Sequence, residues 1–173
     1  MLRRAVAEHA GREIAVEHRA GRAPLVPGLS VSLSRTDDAA MCAVTERPAI
    51  GIDIERMRPW SELEDVARDI AHEPINDALR VLERWTRIEA LAKAIGHGLP
   101  DDVRSLRVPA QTIEPLAWLR ADGWLWLGCP HPEGYVASLV IQDDGADGTG
   151  ACVCKRGNAG VEAVVNWTIE LED

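Results

Sequence analysis

Apolar and polar residues follow two different periods along this chain, and the switches between them mark out the elements. From Leu2 to Ala10 the apolar positions recur at helical spacing among charges, which predicts a short amphipathic helix ended by Gly11. Ile14 to His18 and Leu29 to Ser34 alternate as strands do, and in the second run Ser30, Ser32 and Ser34 share one side while Leu29, Val31 and Leu33 share the other. Gly21-Arg22-Ala23-Pro24 and Pro27-Gly28 are turn chemistry. Ala40 to Val44 and Ala49 to Glu55 are two further strand candidates, and Ser61-Glu62-Leu63-Glu64 fits a capping box opening a helix that runs to Ile70. From Ile75 to Ile95 the residues Leu79, Leu82, Trp85, Ala92 and Ile95 repeat at helical spacing, predicting one long helix or two abutting ones, closed by Gly96 and Gly98. The remainder reads as strands at Ser105 to Val108, Leu116 to Arg120, Trp124 to Leu127 and Tyr135 to Ile141, with a hairpin turn at Ala121-Asp122-Gly123. Asp143 to Gly150 reads as a linker, and Val161 to Leu171 alternates once more. Strands and helices in this order predict an α+β fold.

Composition narrows the function classes. A chain of 173 residues has room for one domain or two small halves with a core of their own. No stretch approaches the ~18 consecutive apolar residues of a membrane span. Glu8 and Arg12 interrupt any apolar stretch near the start, so no secretory signal is expected and the chain reads as cytoplasmic. A net charge of −9 argues against a nucleic-acid binder, which needs a basic footprint. Only Lys93 and Lys155 are lysines among the 19 basic residues, which singles them out as the amines able to lose a proton. Cys42 and Cys129 read as small core residues, and the Cys152-x-Cys154 pair lacks a nearby second pair to complete a tetrahedral metal site.

Two groups of residues carry candidate chemistry. Asp53 and Glu55 lie two apart on a strand, so both carboxylates point to one face while Ile54 points to the core. Two carboxylates side by side repel unless a cation or proton lies between them, which suits a hard divalent ion; the same pair also fits a solvated strand end. Trp85, Glu89 and Lys93 are each four apart and share one stripe of the long helix. That stripe equally fits a core indole beside an ordinary Glu–Lys pair.

In order and separation, Ser32-Leu33-Ser34-Arg35-Thr36, Gly51-Ile52-Asp53-Ile54-Glu55, and Trp85 to Leu99 with Glu89, Lys93, Gly96 and Gly98 resemble the motifs of the 4′-phosphopantetheinyl transferases, and among them the surfactin-synthetase type. The resemblance covers roughly Leu2 to Ile141. It implies a pseudo-twofold protein of two α+β halves, each with a small antiparallel sheet and a long helix. On that reading residues 1–48 are a reduced first half, 49–143 the second half carrying the metal-site motifs, and 144–173 a linker and extension. The resemblance also implies transfer of the phosphopantetheine arm of coenzyme A to a serine of an acyl or peptidyl carrier protein, with release of 3′,5′-ADP. Asp53, Glu55 and Glu89 would hold Mg²⁺, Glu89 and Lys93 would act in catalysis, and Arg22, Ser34, Arg35, Thr36 and Lys93 would contact coenzyme A.

The match has departures. Arg35 stands where the family has histidine, Ile88 stands where it has a lysine before the glutamate, and Arg87 beside it points about 100° away around the helix. Much of the family's first half has no counterpart. These departures motivate a rival reading, a degenerate transferase fold that binds a carrier protein or nucleotide without catalysis; a third is a domain excised from a larger synthase. The expected partner is a carrier protein, docked near Arg56, Arg58 and Trp60, with the enzyme a monomer or weak oligomer.

Overall fold

The protein is described by a computed structural model covering residues 1–18, 23–114, 117–129, 131–145, 148–156 and 161–169. It is α+β, with two four-stranded antiparallel sheets and three α-helices among these residues. Helix α1 (Leu2–Ala10) precedes strands β1 (Ser30–Arg35), β2 (Ala39–Thr45) and β3 (Ile50–Arg56). Helices α2 (Glu64–Ile70) and α3 (Ala78–Ile95) follow, then β4 (Trp118–Ala121), β5 (Trp124–Gly128), β6 (Tyr135–Gln142), β7 (Gly148–Arg156) and β8 (Val161–Ile169). The first sheet has the order β1-β2-β7-β8 and the second β3-β6-β5-β4.

Several boundaries differ from the sequence reading. Ile14 to His18 forms no strand, only a single bridge between Glu17 and Leu25. The capping box at Ser61 is not made: Trp60–Glu62 is a 3₁₀ turn, and α2 begins after Leu63 without a side-chain cap. The long helix is single, and it starts late because the Asp77 side chain accepts the Arg80 N–H at 2.9 Å and so supplies the cap. Ser105 to Val108 is not a strand, since Val103–Ser105 closes as a 3₁₀ turn. Asp122 and Gly123 both have positive φ, 53° and 79°, the turn that matches the twist of the β4–β5 hairpin. The final segment is more than linker and tail: β7 pairs with β2 from Ala39↔Arg156 to Thr45↔Gly150, and β8 pairs in turn with β7.

The period-2 alternation decides the layers. On β2, Cys42 and Val44 face α1, whose Leu2, Ala5 and Val6 cover them. The opposite residues, Ala39, Met41 and Ala43, meet Ile50, Ile52 and Ile54 of β3 together with Leu125, Leu127, Leu139 and Ile141. The other face of the second sheet carries α3, through Ala90 and Leu91 against Trp126 and Val140. Fully burying a side chain such as Leu82, Ile88 or Leu91 contributes roughly 1.5–3 kcal/mol, so this apolar stripe fixes the helix on the sheet. A buried hydrogen bond between Thr86 and Ser138, at 2.7 Å, ties α3 to β6 within that interface.

Candidate functional site

The two sheets meet along β1 and β3, and hydroxyls make the seam. The edge N–H groups of Ile52 and Ile54 donate to Ser32 Oγ at 3.1 Å and Ser34 Oγ at 3.3 Å, and Ser30 Oγ donates to the Pro48 carbonyl at 3.0 Å. The alternating serines of β1 therefore serve an edge strand whose N–H groups a backbone ladder would otherwise take. Since Ile50, Ile52 and Ile54 face the inter-sheet core, Gly51, Asp53 and Glu55 fall on the helix side of β3.

That placement brings the predicted carboxylates to one cleft. Asp53, Ile54 and Glu55 of β3, Glu89 and Lys93 of α3, Leu33, Ser34 and Arg35 of β1, and Met1 and Ala40 line a cavity of about 600 Å³. Asp53 is 5 % exposed, and its Oδ1 accepts from Lys93 Nζ at 2.6 Å and from Ser34 Oγ at 2.7 Å, while Oδ2 is buried without a hydrogen-bond partner. Lys93 Nζ also donates to the Ile52 carbonyl at 3.1 Å. Glu55 accepts from Trp85 Nε1 and from Arg58 Nη2, both at 3.4 Å.

The electrostatics of the three carboxyls are coupled. Burial raises Asp53 above the ordinary aspartate value, and Lys93 and Ser34 counter only part of the effect. Burial also raises Glu55, with the Asp53 charge adding to it; Glu89 is raised by burial, then by Asp53 and, less, by Glu55. Glu55 thus feels the negative charge of Asp53, and Glu89 that of both, in a cleft where repulsion is only partly screened.

Among the described residues, no group of three or more His, Cys, Asp or Glu side chains is gathered as a metal-holding cluster. The expected Mg²⁺ set of Asp53, Glu55 and Glu89 is therefore present in the cleft but not drawn together. Asp53 instead meets Lys93, and Glu55 meets Trp85 and Arg58. The donors nonetheless fit a hard divalent ion, because all three are oxygen ligands and one buried carboxylate oxygen is unclaimed.

The other sequence candidates fall as follows. Arg35 and Thr36 stand at the exit of β1, where Arg35 also lines an adjoining groove of about 560 Å³ with Arg56, Met57 and Arg58. Arg22 lies outside the described residues. Ile88 is fully buried among apolar residues of α2 and α3. Arg87 points away from the cleft: it is 5 % exposed, its Nη1 donates to the Pro109 carbonyl at 2.9 Å, and its nearest acid is Glu83 at 3.9 Å. The sequence reading did not foresee the hydroxyl of Ser34 on Asp53, nor Arg58 and Trp85 on Glu55; the serine alternation was the one signal that pointed to the first. No described helix is long and apolar enough to cross a membrane.

No protein-family model matches the chain. Over an alignment of 124 residues the chain is 30 % identical to the 4′-phosphopantetheinyl transferase HetI of Nostoc sp., and the match takes in 66 % of this chain and 52 % of that protein. The chain thus spans about half the length of the curated relative it matches.

Proposed function

Starting from a chain that belongs with the 4′-phosphopantetheinyl transferases, we propose that it moves the 4′-phosphopantetheine arm of coenzyme A to a serine of an apo acyl or peptidyl carrier protein. The observation that carries this reading is the convergence of Asp53 and Glu55 from β3 with Glu89 and Lys93 from α3 on one cleft at the seam between the sheets. In the reaction the serine Oγ bonds to the phosphorus attached to pantetheine, the pyrophosphate P–O bond breaks, and 3′,5′-ADP leaves.

Glu89 is the base in this proposal. Its raised proton affinity suits a carboxylate that must take the serine proton near neutral pH. Lys93, a compact cation on the cleft wall, meets the transferring phosphate, and Arg35 and Thr36 at the end of β1 meet coenzyme A phosphates from the other side. Asp53, Glu55 and Glu89 would hold Mg²⁺. When bound, that ion would neutralise pyrophosphate oxygens and orient the leaving group.

The groove beside the cleft is lined by Arg35, Arg56 and Arg58 together with Asp37, Asp38, Glu55 and Glu62, and the three guanidiniums are the groups there suited to meet the acids of a carrier protein. We further read the two four-stranded sheets as the pseudo-twofold halves, 1–48 and 49–143, with segment 144–173 adding β7 and β8 to the first.

The test is a mass measurement. Purified protein with Mg²⁺, coenzyme A and an apo carrier protein should add the mass of the phosphopantetheine arm to the carrier. Glu89→Ala should abolish the shift while the far-UV dichroism spectrum stays that of the parent. A folded sample that modifies none of several fatty-acid, polyketide and peptide carriers overturns the reading.

A further inference from the structure

We propose that Ser34 is a positioning residue, whose hydroxyl locks the Asp53 carboxylate so that its Oδ2 is the oxygen offered to a divalent cation. The inference rests on the metal site read above and assigns it an atom and a support. Three observations lead to it. Ser34 is 9 % exposed, and its hydroxyl is used twice, donating to Asp53 Oδ1 at 2.7 Å and accepting the Ile54 N–H at 3.3 Å. Lys93 donates to the same Oδ1 at 2.6 Å, so two donors from different elements hold one oxygen of the carboxylate. The other oxygen, Oδ2, is buried and lacks any hydrogen-bond partner.

A buried acceptor without a donor is costly, and more so when it is charged. A fold that keeps Asp53 in this state, with Ser34 and Lys93 both crowded on one side, leaves Oδ2 available for a ligand from the cleft. Turning the carboxylate about its terminal bond would break both donor contacts at once, so the side chain is held in one orientation before any ion arrives. The hydroxyl of Ser34 is committed to Asp53 and to the β3 edge, which places it in support of the site rather than in contact with coenzyme A.

Ser32 supplies the internal control. Its Oγ accepts the Ile52 N–H at 3.1 Å, the same seam bond two residues earlier, and among the described residues it makes no bond to Asp53. Removing either hydroxyl weakens the seam alike, but only Ser34 touches the carboxylate.

The experiment is a titration of the full chain with Mn²⁺ alone, reading free ion by electron paramagnetic resonance, for the parent protein and for Ser34→Ala, Ser34→Thr and Ser32→Ala. Loss of the group that orients a metal ligand weakens metal affinity roughly 10- to 100-fold, and that is the expectation for Ser34→Ala. Ser34→Thr restores the hydroxyl and should return affinity close to the parent, and Ser32→Ala should leave it there. Should Ser34→Ala not fold, Ser34→Cys keeps the shape with a weak donor and should shift affinity in the same direction. Parent-like binding by Ser34→Ala or Ser34→Cys, or an equal loss in Ser32→Ala, overturns the role of Ser34 and leaves the metal site standing. Failure of the parent protein itself to bind Mn²⁺ overturns the metal site, and this inference with it.

Discussion

Gly51 is the position at which a single methyl group tests the whole arrangement. It sits on β3 two residues before Asp53 and faces the backbone of α3, and a Cβ built there would lie 1.8 Å from the Ala90 carbonyl oxygen, 2.7 Å from its carbon and 2.9 Å from the Ala94 nitrogen. Cβ atoms essentially never come closer than 3.0 Å to a neighbour, so Gly51→Ala requires α3 and β3 to separate by about 1.2 Å. The obstacle is helix backbone, which cannot swing aside as a side chain would. Overpacking of this kind costs about 1–3 kcal/mol, which in a chain of this size lowers Tm by roughly 2–12 °C. The same shift moves Glu89 and Lys93 away from Asp53, and a misplacement of about 1 Å can cost on the order of 100-fold in rate. Urea and thermal unfolding followed by tryptophan fluorescence, beside the carrier-modification assay, read the two effects separately. An alanine variant with the parent's Tm and the parent's rate would refute the packing of α3 on β3 described here. A rate loss at unchanged Tm would refute overpacking as its cause.

Glu89 is held with its proton affinity raised, so between the ordinary Glu value of 4.5 and the raised one the native state binds more protons than the unfolded chain, and there stability falls as pH rises. Glu89→Gln should therefore raise Tm of the chelator-treated protein in mildly alkaline buffer, and the gain should fade as pH falls toward 4.5; a gain that persists or grows there contradicts the raised proton affinity that burial and the neighbouring acids give Glu89. Arg87→Met leaves the Pro109 carbonyl without its buried donor, and the expected loss is about 1–3 kcal/mol in urea denaturation, with carrier modification retained. Activity abolished in a folded Arg87→Met sample would put that guanidinium in the cleft. Asp77→Ala removes the cap at the start of α3, for an expected loss of about 1 kcal/mol. An unchanged unfolding midpoint would show that the Arg80 N–H finds another acceptor.

Much of this protein was legible as one-dimensional pattern. Helical spacing located α1 and the body of α3, alternation located β1, short apolar runs located β2, β3, β5 and β6, and Asp122-Gly123 announced its hairpin. Asp53, Glu55, Glu89 and Lys93 could be named because side chains two apart on a strand and four apart on a helix share a face whatever surrounds them. What the pattern could not supply was the partner of each face. Periodicity shows that Arg87 and Ile88 lie on a helix; only the packed structure turns Arg87 to Pro109 and buries Ile88 under α2. Gly51 looks like any strand glycine until α3 lies across it. The serine alternation of β1 shows its meaning only at the seam, where Ser34 and Asp53 meet across 19 positions of sequence and Lys93 joins them from 40 positions away. Within the segment read as a linker, Gly148 already begins β7, which takes the open edge of β2, and the alternation from Val161 becomes β8 beside it. Local sequence dictates which groups a segment presents and on which side, since that is set by backbone geometry alone. Which of those groups meet, and so which oxygen of Asp53 is left for a ligand, depends on contacts between distant segments that only the tertiary packing fixes.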